Sequence, residues 1–179
     1  MRKLWKIFKL ISVIWGSFCF ILLLVIVGQK LSYLSESKQT ASKNDVRYIL
    51  NWCELGDDRI KEVIHSYISP RSFTGDHLDA HAIRISHVDI KELEKKDDFG
   101  RNWCRGDKVE GVFDDAIESA SAWLHDDNIS WFPKESELRS SELYVYSWQV
   151  HYHGTTPTSA TLIFVRPKDN MLFYINFES

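Results

Sequence analysis

The sequence predicts an α+β domain carried behind one N-terminal transmembrane helix. Three observations lead there. Leu10 to Gln29 is a run of 20 residues without a charge. Apolar residues recur at helical spacing between Asp45 and Leu124. From Leu143 onward the chain reads as three alternating segments joined by turn-forming residues.

The uncharged run, LISVIWGSFCFILLLVIVGQ, is bounded by Lys9 and Lys30. At ~1.5 Å per residue a helix of this length covers ~30 Å, a hydrocarbon core's thickness. Trp5 suits an interfacial anchor. A cleaved signal peptide has a shorter apolar region and a small-residue cleavage site, and Val27-Gly28-Gln29 offers no such site. Arg2, Lys3, Lys6 and Lys9 precede the run, so residues 1–9 are expected to stay cytoplasmic and the C-terminal domain to lie outside the cytoplasm. The partners expected on this reading are the lipid bilayer, through residues 10–29, and a protein.

Charge argues against nucleic acid. The chain carries −3; without its four N-terminal cations, 18 basic residues face 25 acidic ones, a net of −7. Such a domain repels phosphate backbones, and no basic stripe offsets this. Residues 30–44 are rich in Ser, Thr and Lys and read as a polar tether. Residues 45–179 suffice for one core.

Element by element, Asp45 is expected to cap a helix with Val46, Ile49, Leu50 and Cys53 on its apolar face, ended by Gly56. Asp58 is expected to cap a second, carrying Ile60, Val63, Ile64, Tyr67 and Ile68 and stopped by Pro70. His77 to Val88 alternates and reads as a strand. Asp89 and Glu92 form a capping pair for a short helix to about Lys96. Asp107 and Glu110 have the same spacing ahead of the stripe Val109 to Leu124. Leu143–His153, Ser159–Arg166 and Met171–Phe177 are then three strands. Short connections at 154–157 and 167–170 make them an antiparallel meander. The architecture expected is helices on a C-terminal three-stranded meander plus the one earlier strand.

Candidate chemistry is sparse. Cys53 and Cys104 are the cysteines outside the apolar run. In an oxidising compartment they are expected to bridge, closing a loop of about 50 residues for roughly 4 kcal/mol. His151 and His153 share one strand face, and His77 and His81 have H-x3-H spacing. Together these four are the one candidate metal set, provided the first strand lies beside the last hairpin. There is no G-x-S-x-G elbow, no glycine-rich phosphate loop and no cofactor motif.

Aromatic residues concentrate in the meander. Tyr144, Tyr146, Trp148 and Tyr152 are expected on one strand face, as core beneath the long helix. Val145, Ser147, Gln149, His151 and His153 are expected on the other. That polar strip, with apolar neighbours, resembles an interface, so Val145, Gln149, His151 and His153 form the candidate interaction surface. In the third strand Leu172 and Tyr174 oppose Phe173 and Ile175, so the sheet needs cover on both faces. Two functions follow: a non-enzymatic protein-interaction module, or a small metal-assisted hydrolase using His77, His81, His151 and His153. The first is favoured, because an active site usually leaves a tighter constellation.

Overall fold

The computed structural model describes residues 12, 14–28, 41–72, 75–94, 103–125 and 127–179. The chain divides into two units, Met1–Ser37 and Lys38–Ser179. In the first, residues 14–28 are helical. No helix among the described residues is long and apolar enough to cross a membrane. This corrects the single-pass reading, and with it the anchor through residues 10–29 and the extracytoplasmic location. Residues 10, 11, 13 and 29 of the expected span, the basic segment 1–9 and residues 30–40 of the expected tether lie outside the described residues.

The second unit opens at Ser42, which precedes α1 (Lys43–Trp52). Asp45 is not the cap itself. Its carboxylate accepts from the Ser42 amide at 2.7 Å and the Ser42 hydroxyl at 2.8 Å, satisfying groups left open at the helix start. After a 3-10 turn at Asp57–Arg59 come β1 (Ile60–Ile68) and β2 (His77–Ile85). Then follow α2 (Ile90–Leu93), β3 (Cys104–Arg105), α3 (Val112–Trp123), α4 (Glu135–Leu138), β4 (Tyr144–His153), β5 (Thr156–Arg166) and β6 (Met171–Glu178).

The sheet is antiparallel with six strands in the order β1-β2-β6-β5-β4-β3. The class is α+β, but the expected meander plus one strand undercounts it. The segment expected as a second helix is β1. Its β-branched Ile60, Val63, Ile64 and Ile68 favour a strand. Register shifts at Ile60/Glu62 and Val63/His65 break the two-residue alternation and so imitate helical spacing. β3 spans two residues and was not anticipated.

α2 begins where Asp89 accepts from the Lys91 amide at 3.0 Å and the Asp89 amide donates to Glu92 at 3.2 Å. α3 begins later than the sequence suggested. Gly111 precedes it at φ 59° and ψ −126°, a conformation nearly closed to other residues. Asp107 sits in a separate 3-10 turn and binds Arg105 at 2.6 Å instead of capping the helix.

Each sheet face has its own core. On one, Ala116, Ile117 and Ala120 of α3 press onto Leu162, Phe164, Phe173 and Ile175, joined by Phe132 and Leu138. On the other, Val46, Ile49 and Leu50 of α1 cover Ile83, Ile85, Ile163, Leu172 and Tyr146. The cover that an apolar sheet requires on both sides is thus supplied by α3 and α1.

The two cores also explain why the expected disulfide is absent. Cys53 and Cys104 are both free thiols. Cys53 belongs to the core under α1, whereas Cys104 packs on the α3 side. With the sheet between them, their Cβ atoms cannot reach bridging distance. The Cys53 thiol donates to the Leu50 carbonyl at 3.5 Å, and burial pushes it up to about 12. Cys104 contacts the Lys108 carbonyl at 3.3 Å.

Candidate functional site

The α1 face of the sheet is apolar in one half and polar in the other. The polar half follows from strand register. Asp79 pairs with Asn176, Asn176 with Thr161 and Thr161 with Gln149. The next rung runs His77, Glu178, Ser159, His151. Residues paired across antiparallel strands point to one side, so two all-polar rungs cross β2, β6, β5 and β4 on a single face. Val150, Ala160 and Phe177, on the opposite side at the same level, belong to the α3 core.

The row is tightly bonded at its β2 end. The Thr161 hydroxyl donates to Asn176 Oδ1 at 2.9 Å. The Asn176 amide lies 2.9 Å from His77 Nε2, and His77 Nδ1 lies 3.0 Å from the Gly75 carbonyl. The Asn176 amide thus faces Nε2, while Nδ1 faces both the Gly75 carbonyl and an Arg71 nitrogen at 3.4 Å. His77 is 5 % exposed and His81 3 %. His81 Nδ1 is 3.0 Å from the Ser66 hydroxyl, and its ring stacks on Tyr174 at 5.6 Å. Burial pushes His81 down to about 4, partly opposed by Asp45, so the imidazole is neutral at physiological pH.

Asp79 stands between these histidines. Burial raises its carboxyl above the usual carboxylate range, and His77 and Arg71 pull the other way. Its Oδ2 lies 3.8 Å from an Arg71 nitrogen. Its Oδ1 is buried and has no hydrogen-bond partner among the described residues. Tyr48 from α1 bonds to the Tyr174 hydroxyl, and burial raises both phenols.

The sequence-derived residues distribute as follows. Gln149 and His151 are exposed on the polar rungs, their side-chain nitrogens 2.5 Å apart. His153 is exposed near the hairpin tip, opposite Thr156. Val145 is a correction: it is fully buried in the α3 core, pairing with Cys104 and Phe164. The cause is a register shift between Ser147 and Gln149 that inserts Trp148 as an extra residue. A bulge reverses the inward and outward sense of everything after it. Gln149 and His151 therefore share a face with Trp148, not with Val145. Tyr152 is carried to the other side, its hydroxyl 3.4 Å from Asp115 of α3. The expected aromatic face divides accordingly, with Tyr146 and Trp148 under α1.

The candidate metal set does not converge. His77 and His151 occupy one rung but are three strands apart, roughly 14 Å at the usual strand spacing. No group of three or more His, Cys, Asp or Glu among the described residues is placed to hold a metal ion. The sequence offered Asp79 only as a possible companion of His77 and His81, and Asn176, Tyr48 and Tyr174 were not singled out for the site. Alternation in β2 placed His81 on a face, but cross-strand pairing alone brings Asn176 beside Asp79.

Two open grooves lie elsewhere. One of about 630 Å³ is lined by Ser121, His125, Lys134 and Arg139. Arg139 is already held by Asp114 and Glu135, and the Ser121 hydroxyl donates to Ile117 within its own helix. The other, about 320 Å³, has Arg166 in its wall, bound through two nitrogens to Asp169. The arginines of both grooves are thus engaged by neighbouring carboxylates. No family model, curated protein or solved structure matches the chain.

Proposed function

We propose that the folded unit is a non-enzymatic docking module that binds a protein partner across the polar half of its α1 face. The observation that carries this reading is the pair of polar rungs crossing four strands. A sheet surface with polar residues at this density, bordered by Tyr48, Trp52 and Trp148, has the mixed character of a protein interface. The ring stack of Trp52 on Trp148, 5.3 Å between centroids, forms its aromatic border. Gln149 and His151 mark its exposed end.

The hydrolase reading has less support. Its four histidines are separated: His77 and His151 stand at opposite ends of one rung, His81 pairs with Tyr174, His153 lies near the hairpin tip, and the buried pair is occupied by Asn176, Gly75 and Ser66. Catalysis would require an uncommitted base beside a nucleophile or metal.

The test is site-specific photo-cross-linking in the native cells. A photoreactive residue at Gln149 is expected to give a discrete protein adduct, and one at Glu62, on the far edge strand, none. His151→Glu is expected to remove the adduct while leaving the melting temperature unchanged. Equal adducts at both positions, or none at Gln149, would reject the docking surface.

A further inference from the structure

The groove of about 320 Å³ lies on the α3 side of the sheet, away from the polar rungs. Strand register builds its floor. His65 pairs with Ala82 and Ala82 with Phe173, while Met171, two residues before Phe173, pairs with Arg166. These five residues point to one side. Ala82 is the smallest of them and leaves room between its neighbours. Residues 130–134 and Glu137 supply the other wall. Trp131 is fixed there by its indole N–H, which donates to the Asn128 carbonyl at 3.0 Å, and by its stack on His65, 5.1 Å between centroids.

The walls hold more donors than acceptors. The Arg166 guanidinium lies over the Phe173 ring at 5.0 Å and turns its Nε and Nη2 to Asp169. Its Nη1 carries further N–H groups, which have no acceptor among the described residues. Lys134 is exposed, and its ammonium has no ion pair among the described residues. Glu137 is the one carboxylate in the described lining, and its Oε2 already accepts from the Lys134 amide at 2.9 Å. An anion therefore finds two cationic donors here, with the apolar surface of Ile64, Met171 and Trp131 in the same groove.

We infer that this groove is a binding site for a small aromatic carboxylate. The carboxylate meets Lys134 and the open Nη1 of Arg166, and the ring lies against Met171 and Trp131. Hydrogen bonds from a cation to a carboxylate are stronger than neutral ones, and a thioether and an indole both favour an aromatic ring. The volume is at the low end for a small-molecule pocket and suits one ring with a short chain. A bare inorganic anion would leave the apolar part of the groove in water, and a cation would face Lys134 and Arg166. The site shares no residue with the docking surface, so either can fail without the other.

The chain has 2 methionines, Met1 and Met171, so carbon-13 labelling of the methionine methyl groups gives a probe inside the groove. The test titrates the labelled full chain with 3-phenylpropionate and follows the Met171 methyl signal by NMR. A saturable shift in the millimolar range is expected. 3-Phenylpropionamide, of the same shape without the charge, is expected to bind about tenfold more weakly. Propionate, without the ring, and phenethylammonium, of opposite charge, are expected to give no shift. Lys134→Met keeps the stem and removes the charge at an exposed position, so it should reduce binding of the acid to the level of the amide with the melting temperature unchanged. Ser130→Trp, also at an exposed position in the lining, fills the groove and should abolish the shift. No saturable shift, equal binding of acid and amide, saturation by propionate, or preference for phenethylammonium would each overturn the inference. Undiminished binding in either variant would overturn it as well.

Discussion

The two faces of this sheet are built from the same strands and have different tasks. Under α3 the buried residues form one apolar cluster that runs from Leu78 and Phe177 to Phe164 and Val145. Under α1 they are apolar only as far as Ile83 and Tyr174, beyond which Asp79, Asn176, His77 and Thr161 take over. The first arrangement maximises apolar area removed from water, the dominant favourable contribution to folding. The second keeps poorly solvated polar groups where a larger hydrophobic core would have been more stable. A protein generally tolerates that trade where a surface has a function.

The contrast can be broken most directly at Phe164, which is fully buried and meets Phe132 edge-on at 6.3 Å. Phe164→Ala is expected to cost ~3–5 kcal/mol in chemical denaturation. A loss below ~1 kcal/mol would mean that the α3 face is not the main core.

Acid should act through the other face. The His81 folded-state value is pushed down to about 4 by burial, below the ~6.5 of an unfolded chain. Between those values the unfolded state binds the proton first, so stability falls as pH drops from ~6.5 towards ~4, by up to about 3 kcal/mol. Asp79 works in the opposite sense. Its raised folded-state value means that its contribution is present at low pH and lost as pH rises through that value. Denaturation midpoints at pH 7 and 4.5 for wild type and His81→Asn should therefore differ, with the flatter profile in the variant. Parallel profiles would show that His81 is not the responsive group.

A smaller effect is expected at the aromatic border. Trp148→Ala removes the near-parallel stack on Trp52, 7° between planes, and should cost roughly 1–3 kcal/mol with the fold kept. Gln149→Glu and His151→Glu, on exposed positions, should change stability by less than about 0.5 kcal/mol. Smallest of all is the response to reductant. With Cys53 and Cys104 free on opposite faces, the melting temperature should be the same with and without dithiothreitol. A drop on reduction would restore the bridge and contradict the placement of both residues.

What was legible in the sequence follows from the same geometry. The last three strands could be read because their apolar residues alternate and Pro167 to Asn170 forms a turn, with Asn170 at φ 54°. Asp89 and Glu92 announced α2 through their spacing. β1 was unreadable because two register shifts gave Ile60, Val63, Ile64 and Tyr67 a helix-like period. The fate of the cysteines and of Asp79 was also hidden, since both depend on which strands become neighbours. Of the residues expected on one strand face, Gln149 and His151 are exposed and Val145 is buried on the opposite side, because one inserted residue between them reversed the strand.

That insertion at Trp148 has a further consequence. A β-strand is read in steps of two, and the bulge is a frameshift in that reading. Loss of the single codon for Trp148 would remove the extra residue and leave Ser147 opposite Leu162 and Gln149 opposite Thr161 in unbroken pairing. Gln149 and His151 would keep their places on the polar rungs, and the ring stacked on Trp52 would be lost. The insertion thus adds an aromatic ring to the border of this surface without displacing the polar residues beside it.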